Sequence, residues 1–190
     1  MERIQLKYRC LAEIVESSDG LAIVTLTDVI ESRALNIVCD KTMCNQLQMR
    51  AKQLEICNCM LPEVMSAMLS EYVDLKKLEI MIYDIRDGQY VVTLMNSENC
   101  SIRQLRISDA ILLHVISGIP MYIDQKLMQA QSVLFQPDMT KVSIPINALD
   151  NAKLQEELDK AVEEENYRLA SYIQEELNKR KQQNQSDQAE

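Results

Sequence analysis

Residues 78 to 123 read as a strand, a tight turn, two more strands, a short apolar helix and a final strand, and this block constrains the chain to a sheet-forming domain. Leu78, Ile80 and Ile82 fall on one face of an extended segment, and Met81, Tyr83 and Ile85 on the other. A strand apolar on both faces suits a place covered on both sides. Asp87-Gly88 then supplies a pair that accepts positive φ, as a two-residue hairpin requires. Gln89–Met95, rich in Val, Tyr and Thr, returns as a second strand. After a turn at Asn96–Asn99, Ser101–Ile107 reads as a third, more polar strand. Ser108 stands where a side-chain oxygen caps the next helix. Asp109 falls in the first turn, where the helix dipole favours a negative charge. That helix, Ala110–Ile116, is apolar on nearly every side and is expected to be buried. Gly118 stops it, Pro120 prevents its continuation, and Met121–Ile123 resumes as a strand.

The preceding residues repeat the order of strands before helices. Ile4–Ile14, Leu21–Leu26 and Arg33–Cys39 read as a three-stranded meander. Thr42–Ile56 and Pro62–Tyr72 read as helices joined by a connector at Cys57–Leu61. The second opens on Pro62 and is expected to bury Val64, Met65, Met68 and Leu69. Asp124–Gln131 is a short terminal helix. Segregated runs of this kind predict an α+β fold. The expected sheet is mixed or antiparallel, made of two three-stranded meanders with packed helices.

Phe135–Ala148 carries Pro137 and Pro145 and has no period, so it reads as a linker. Beyond it, Leu154, Leu158, Ala161 and Val162 share one helical face, and Leu169, Ala170, Ile173 and Leu177 share another. Glu165-Asn166 lies between them, which predicts an antiparallel helical hairpin. Gln182–Glu190 is polar and low in complexity and is expected to be disordered. The expected organisation is an α+β domain over 1–133, a linker over 134–149, the hairpin over 150–182 and a tail over 183–190.

The formal net charge is −9. Residues 1–149 hold 14 basic and 18 acidic side chains, and residues 150–190 hold 6 and 11, so neither part is basic. Nucleic-acid binders usually carry a basic face; a nucleic-acid role is therefore not supported by charge. Met1–Leu11 is polar and charged, so no signal peptide is expected. No apolar run approaches the ~20 residues that span a bilayer, and the expected location is the cytoplasm. There the six cysteines are expected to be reduced. Cys57-Asn58-Cys59 and Cys39-x4-Cys44 hint at metal or redox chemistry, but zinc takes four Cys or His ligands and the chain has one histidine. Buried structural thiols are the stronger reading. That histidine, His114, lies in the apolar helix and reads as a core residue bonded to a backbone carbonyl rather than as a base.

Three short stretches in the central block resemble the bifunctional nuclease family. They are Asp87-Gly88-Gln89-Tyr90, Arg106-Ile107-Ser108-Asp109-Ala110-Ile111-Leu112-Leu113, and Pro120-Met121-Tyr122. The resemblance implies cleavage of DNA or RNA with Mg2+ or Mn2+. Such chemistry needs carboxylates converging on the ion. Asp84, Asp87 and Asp109 are the metal-ligand and catalytic candidates, with Arg106 to bind a phosphate. Each also has a structural reading: a turn residue in Asp87, a helix-start residue in Asp109, a solvent-facing residue in Asp84, and an Arg106–Asp109 corner brace. The first half departs from the family. Leu35–Asp40 stands where relatives have a P-I-W-I-G-like segment, Lys41-Thr42-Met43 replaces acidic and small residues, and Leu61-Pro62-Glu63 replaces T-H-D.

The C-terminal hairpin resembles the UVR motif, through Leu154, Leu158, Ala161, Val162, Glu165, Tyr167, Ala170, Ile173 and Leu177. That motif is a protein-docking hairpin in excision-nuclease subunits and in regulators of Clp ATPases. The motif's Arg-Asp pair is Gln174-Glu175 in this chain. Leu154, Leu158, Tyr167, Ile173 and Leu177 are the expected partner-binding residues. Two readings follow, a nuclease and a non-catalytic adaptor. A homodimer is expected in either case, because exposed strand edges need cover and two-fold dimers are the commonest assembly.

Overall fold

The computed structural model describes residues 2–13, 21–86, 88–135, 149, 151–163, 165–167, 170–171 and 173–178. The chain separates into two compact units, Met1–Arg86 with Tyr90–Ser143, and Asp87–Gln89 with Ile144–Glu190.

The first unit is a mixed α+β fold, with one sheet of eight strands among the described residues. Strands β1 (Arg3–Glu13), β2 (Ala22–Asp28) and β3 (Arg33–Cys39) form the first meander. Strands β4 (Leu78–Arg86), β5 (Gln89–Asn96) and β6 (Ile102–Leu105) form the second. Strand β7 (Met121–Asp124) enters between them, antiparallel to β1 and parallel to β4. Met121 is therefore registered against both Leu6 and Ile80. The order is β6-β5-β4-β7-β1-β2-β3-β8, where β8 is Val133–Leu134. The sequence reading had no counterpart for β8, a two-residue strand without measurable alternation. Arg3 ties three neighbouring strands together: its guanidinium lies 4.1 Å from the Tyr122 ring centroid and 2.5 Å from a Glu79 oxygen.

Burial on the sheet differs from the expectation in one respect. In β4 only Leu78, Ile80 and Ile82 are buried, while Met81, Tyr83 and Ile85 are half-exposed. The strand covered on both faces is β2, buried at all seven positions. Among its polar positions, the Thr25 hydroxyl donates to Asn36 Oδ1 at 3.0 Å, whereas the Thr27 hydroxyl is buried without a partner among the described residues. Period-two apolarity marks a strand but does not say which strand lies in the middle of the cover.

Among its described residues this unit has the α-helices α1 (Lys41–Ala51), α2 (Leu61–Tyr72), α3 (Ile107–Ser117) and α4 (Gln125–Gln131). Helix α1 is shorter than the expected Thr42–Ile56. It closes at Gln53, in the left-handed region at φ 51°, with Leu54 N–H returned to the Met49 carbonyl at 3.1 Å. A 3-10 turn over Glu55–Cys59 follows. Helix α3 is less buried than expected, with only Ala110 and Ile111 fully covered. Gly118 ends it at φ 70°, its N–H donating to the His114 carbonyl at 2.9 Å.

The largest correction concerns α2. Val64, Met65, Met68 and Leu69 are not buried; they are 40%, 54%, 52% and 40% exposed. The less exposed positions are Pro62, Glu63 and Ser66. Glu63 pairs with Arg50 of α1 at 2.7 Å, both side chains largely buried. The helix is held to its neighbours by its polar side.

In the second unit, α5 (Asn151–Glu163) is followed by described helical positions between 167 and 178. Leu154, Leu158, Ala161, Ala170, Ile173 and Leu177 form one apolar cluster. Glu165, at φ 56°, makes the turn, with Asn166 N–H donating to the Ala161 carbonyl at 2.8 Å and Glu165 N–H to Val162 at 3.1 Å. This bond pair is a Schellman closure with Glu where Gly is the usual residue. No helix among the described residues is long and apolar enough to cross a membrane.

Candidate active-site corner

Arg106 ends the extended segment after β6, at φ −71° and ψ 147°, and its carbonyl accepts the first α3 bond from Ala110 N–H at 3.0 Å. It is the N-cap by backbone geometry, with no side-chain cap. Ser108 therefore does not cap the helix, because α3 begins at Ile107 and Ser108 already lies inside it. The early start puts Asp109 within reach of Arg106 across one turn. Nε donates to Oδ2 at 2.7 Å and Nη2 to Oδ1 at 2.9 Å, a bidentate pair. The Arg106 side chain is 79% exposed. Its guanidinium is held more strongly protonated than usual, first by the bond to Asp109 and then by that carboxylate's charge, with a further contribution from Asp40.

Asp40 arrives from the other half of the domain. It caps α1, accepting Met43 N–H on Oδ1 at 2.7 Å. With Arg106, Ser108 and Asp109 it lines a pocket of about 400 Å3, completed by Thr42 and Gln46 of α1, by Leu112 and by the start of α2 at Met60, Leu61 and Pro62. Sequence reasoning missed Asp40, since an aspartate before a helix reads only as a cap. The available signal was that the segments departing from the family pattern, Leu35–Asp40 with Lys41–Met43 and Leu61–Glu63, would have to meet somewhere. They contribute Asp40, Thr42, Met43, Leu61 and Pro62 to this one pocket.

The other acidic candidates are placed differently. Asp84 does not line this pocket. Its carboxylate accepts Ile85 N–H at 2.9 Å and Arg86 Nε at 3.1 Å near the end of β4. Asp87 lies outside the described residues, and the following Gly88 has the positive φ, 73°, of a turn glycine. Among the described residues no group of three or more His, Cys, Asp or Glu side chains is placed to hold a metal ion. The pocket instead offers two carboxylates together with hydroxyl and amide oxygens. Oxygen donors of this kind are those that Mg2+ and Mn2+ take beside retained waters and substrate phosphate, and both Asp109 oxygens also accept bonds from Arg106.

His114 is half-buried, and its Nδ1–H donates to the Ile119 carbonyl at 2.7 Å, which fixes it as a brace for the Gly118 turn. The cysteines are free thiols; Cys39, Cys44 and Cys57 are buried, and Cys10, Cys59 and Cys100 exposed. Burial, and secondarily Cys44, pushes the Cys39 thiol up to about 11, far from a reactive thiolate.

In the helical unit, Leu154, Leu158, Ile173 and Leu177 are 0%, 9%, 1% and 4% exposed, inside the unit's own cluster. Those four hold the two helices together. Tyr167, 69% exposed, and Val162, 52% exposed, face outward.

No curated protein matches the chain. The sequence profile of the bifunctional nuclease domain matches residues 24–136, which contain Asp40, Arg106 and Asp109. That match covers more than half of the 190 residues, and it spans the strands and helices that assemble the pocket. The chain belongs to the bifunctional nuclease domain family.

Proposed function

We propose that the pocket formed by Asp40, Arg106 and Asp109 cleaves phosphodiester bonds of DNA or RNA with Mg2+ or Mn2+. The supporting observation is convergence: sequence segments around residues 40, 61 and 106, far apart in the chain, line one pocket within the family's matched region. Asp40 and Asp109 would hold the ion, which when bound neutralises charge at the reacting phosphate. Arg106 takes a phosphate oxygen on the exposed side of its guanidinium while Asp109 fixes its plane. Asp40, which forms no ion pair among the described residues, accepts the proton of an attacking water. Ser108 and Thr42 orient that water from the pocket wall.

The experiment is a cleavage assay on single- and double-stranded DNA and on RNA, with Mg2+ or Mn2+. Asp40→Asn keeps a good helix cap and removes the charge. Removing Arg106 and Asp109 together, both to Ala, leaves no unpaired charge behind. Each variant is expected to fold normally and to lose about tenfold to a thousandfold in rate. Equal cleavage by all three proteins would place the chemistry elsewhere.

A second reading, the non-catalytic adaptor, is favoured by Leu61 and Pro62, which stand in the pocket where the family's T-H-D has polar residues. It is also favoured by the net charge of −9, which opposes a polyanion. In that reading the UVR-like hairpin docks a repair nuclease or a Clp-type ATPase through its exposed Tyr167 and Val162. No cleavage by the wild type, together with a captured partner lost in Tyr167→Ser, would put the adaptor ahead.

A further inference from the structure

We propose that the outward face of α2 is the surface on which a second copy of this chain docks, as a two-fold pair of antiparallel helices. Leu61, Val64, Met65, Met68, Leu69 and Tyr72 are each 40–81% exposed. At about 100° per residue they fall within roughly 140° of arc, a single stripe. A surface helix normally turns such a stripe to the core. Here the polar side is turned inward and anchored by the Arg50–Glu63 pair. The apolar side is left for something outside this unit.

The size of the face fits a second protein. Its six residues expose roughly 700 Å2. Monomers rarely expose so large an apolar patch, and a standard interface buries about 800 Å2 per partner.

The pattern and charge fit a copy of the same helix. Leu61, Met65, Met68 and Tyr72 are spaced four, three and four apart, the seam that two helices share when they pack knobs into holes. Antiparallel pairing sets Met65 against Met68 of the other helix. The acidic residues of α2 are Glu63 and Glu71, and it carries no basic ones. Glu63 is used inward. Antiparallel pairing brings Glu71 to the positive N-terminal end of the other helix, whereas parallel pairing would set like charges together. The chain's own helical unit is a poorer occupant, because among its described residues Leu154, Leu158, Ala161, Ala170, Ile173 and Leu177 are buried in its own cluster and only Val162 and Tyr167 are large exposed apolar side chains.

The test is the mass in solution of the full-length protein, by sedimentation equilibrium and light scattering from about 1 to 100 µM. The wild type is expected to be a dimer. Met65→Glu is expected to weaken it at least a hundredfold. Tyr72→Lys, at a side chain 81% exposed and so without a packing role in the monomer, is expected to do the same with unchanged circular dichroism. A monomeric wild type at 100 µM would overturn the proposal, and α2 protected from hydrogen exchange in that monomer would assign the stripe to another segment of this chain. A dimer that survives both substitutions would place the interface elsewhere.

Discussion

Asp28 organises the β2–β3 turn with its carboxylate. Ser32 N–H and Arg33 N–H donate to Oδ1 at 2.6 and 3.1 Å, and the Ser32 hydroxyl donates to Oδ2. Burial, the largest single influence, pushes its carboxyl up, but the bonds from Ser32 and Arg33 together outweigh it and hold it below the usual 3.8. A carboxyl depressed by folding stabilises the native state above its ordinary value, and that stability is lost as pH falls through the native value. Asp28→Asn is therefore expected to be less stable than the wild type at pH 7. It is also expected to show a flatter decline between about pH 5 and pH 2, followed by thermal unfolding. An unchanged acid limb would remove Asp28 from the account. The same contrast between burial and bonding distinguishes Tyr90, whose hydroxyl is buried without a partner among the described residues and is pushed up by burial alone.

Helix α2 carries the clearest consequence at the scale of elements. Its inward face offers one strong attachment, Glu63 to Arg50, with side-chain exposures of 17% and 7%. Arg50 also donates to the Gln46 carbonyl and side chain at 2.8 Å, so the charge is fixed in place before α2 meets it. Glu63→Gln leaves that charge buried without its counterion and is expected to cost about 2–4 kcal/mol. Denaturant unfolding measures the loss, and hydrogen exchange should rise first in α2. A cost near zero would mean that α2 is held by contacts other than this pair. Helix α3 shows the complementary case, in which the element is fixed at its ends: Arg106 supplies the backbone start and Gly118 the left-handed stop.

For the whole molecule, the pocket and the apolar stripe meet at the start of α2, since Leu61 belongs to both. Antiparallel pairing through the stripe would set Tyr72 of one copy beside Leu61 of the other, at the pocket rim. Association also couples stability to concentration. Raising the protein tenfold is expected to raise the unfolding temperature of the wild type and to leave that of Tyr72→Lys unchanged. A concentration-independent midpoint for the wild type would argue against pairing.

Much of this architecture was legible locally. Strand-favouring composition placed β3 at its observed bounds, Arg33–Cys39. Gly118 and Pro120 marked the end of α3, and a lone histidine in an apolar helix was found bonded to a backbone carbonyl. These features depend on a few adjacent residues, whose φ preferences and side-chain periods are set by covalent geometry. The location of β7 between the meanders, the cover on both faces of β2, the meeting of Asp40 with Arg106 and the outward turn of α2 depend on pairings between distant segments. A periodic stripe states that a helix has an apolar side, and only the packed neighbours decide where that side points. For α2 the buried Arg50 charge decided it, drawing Glu63 inward and leaving Leu61, Met65, Met68 and Tyr72 outside.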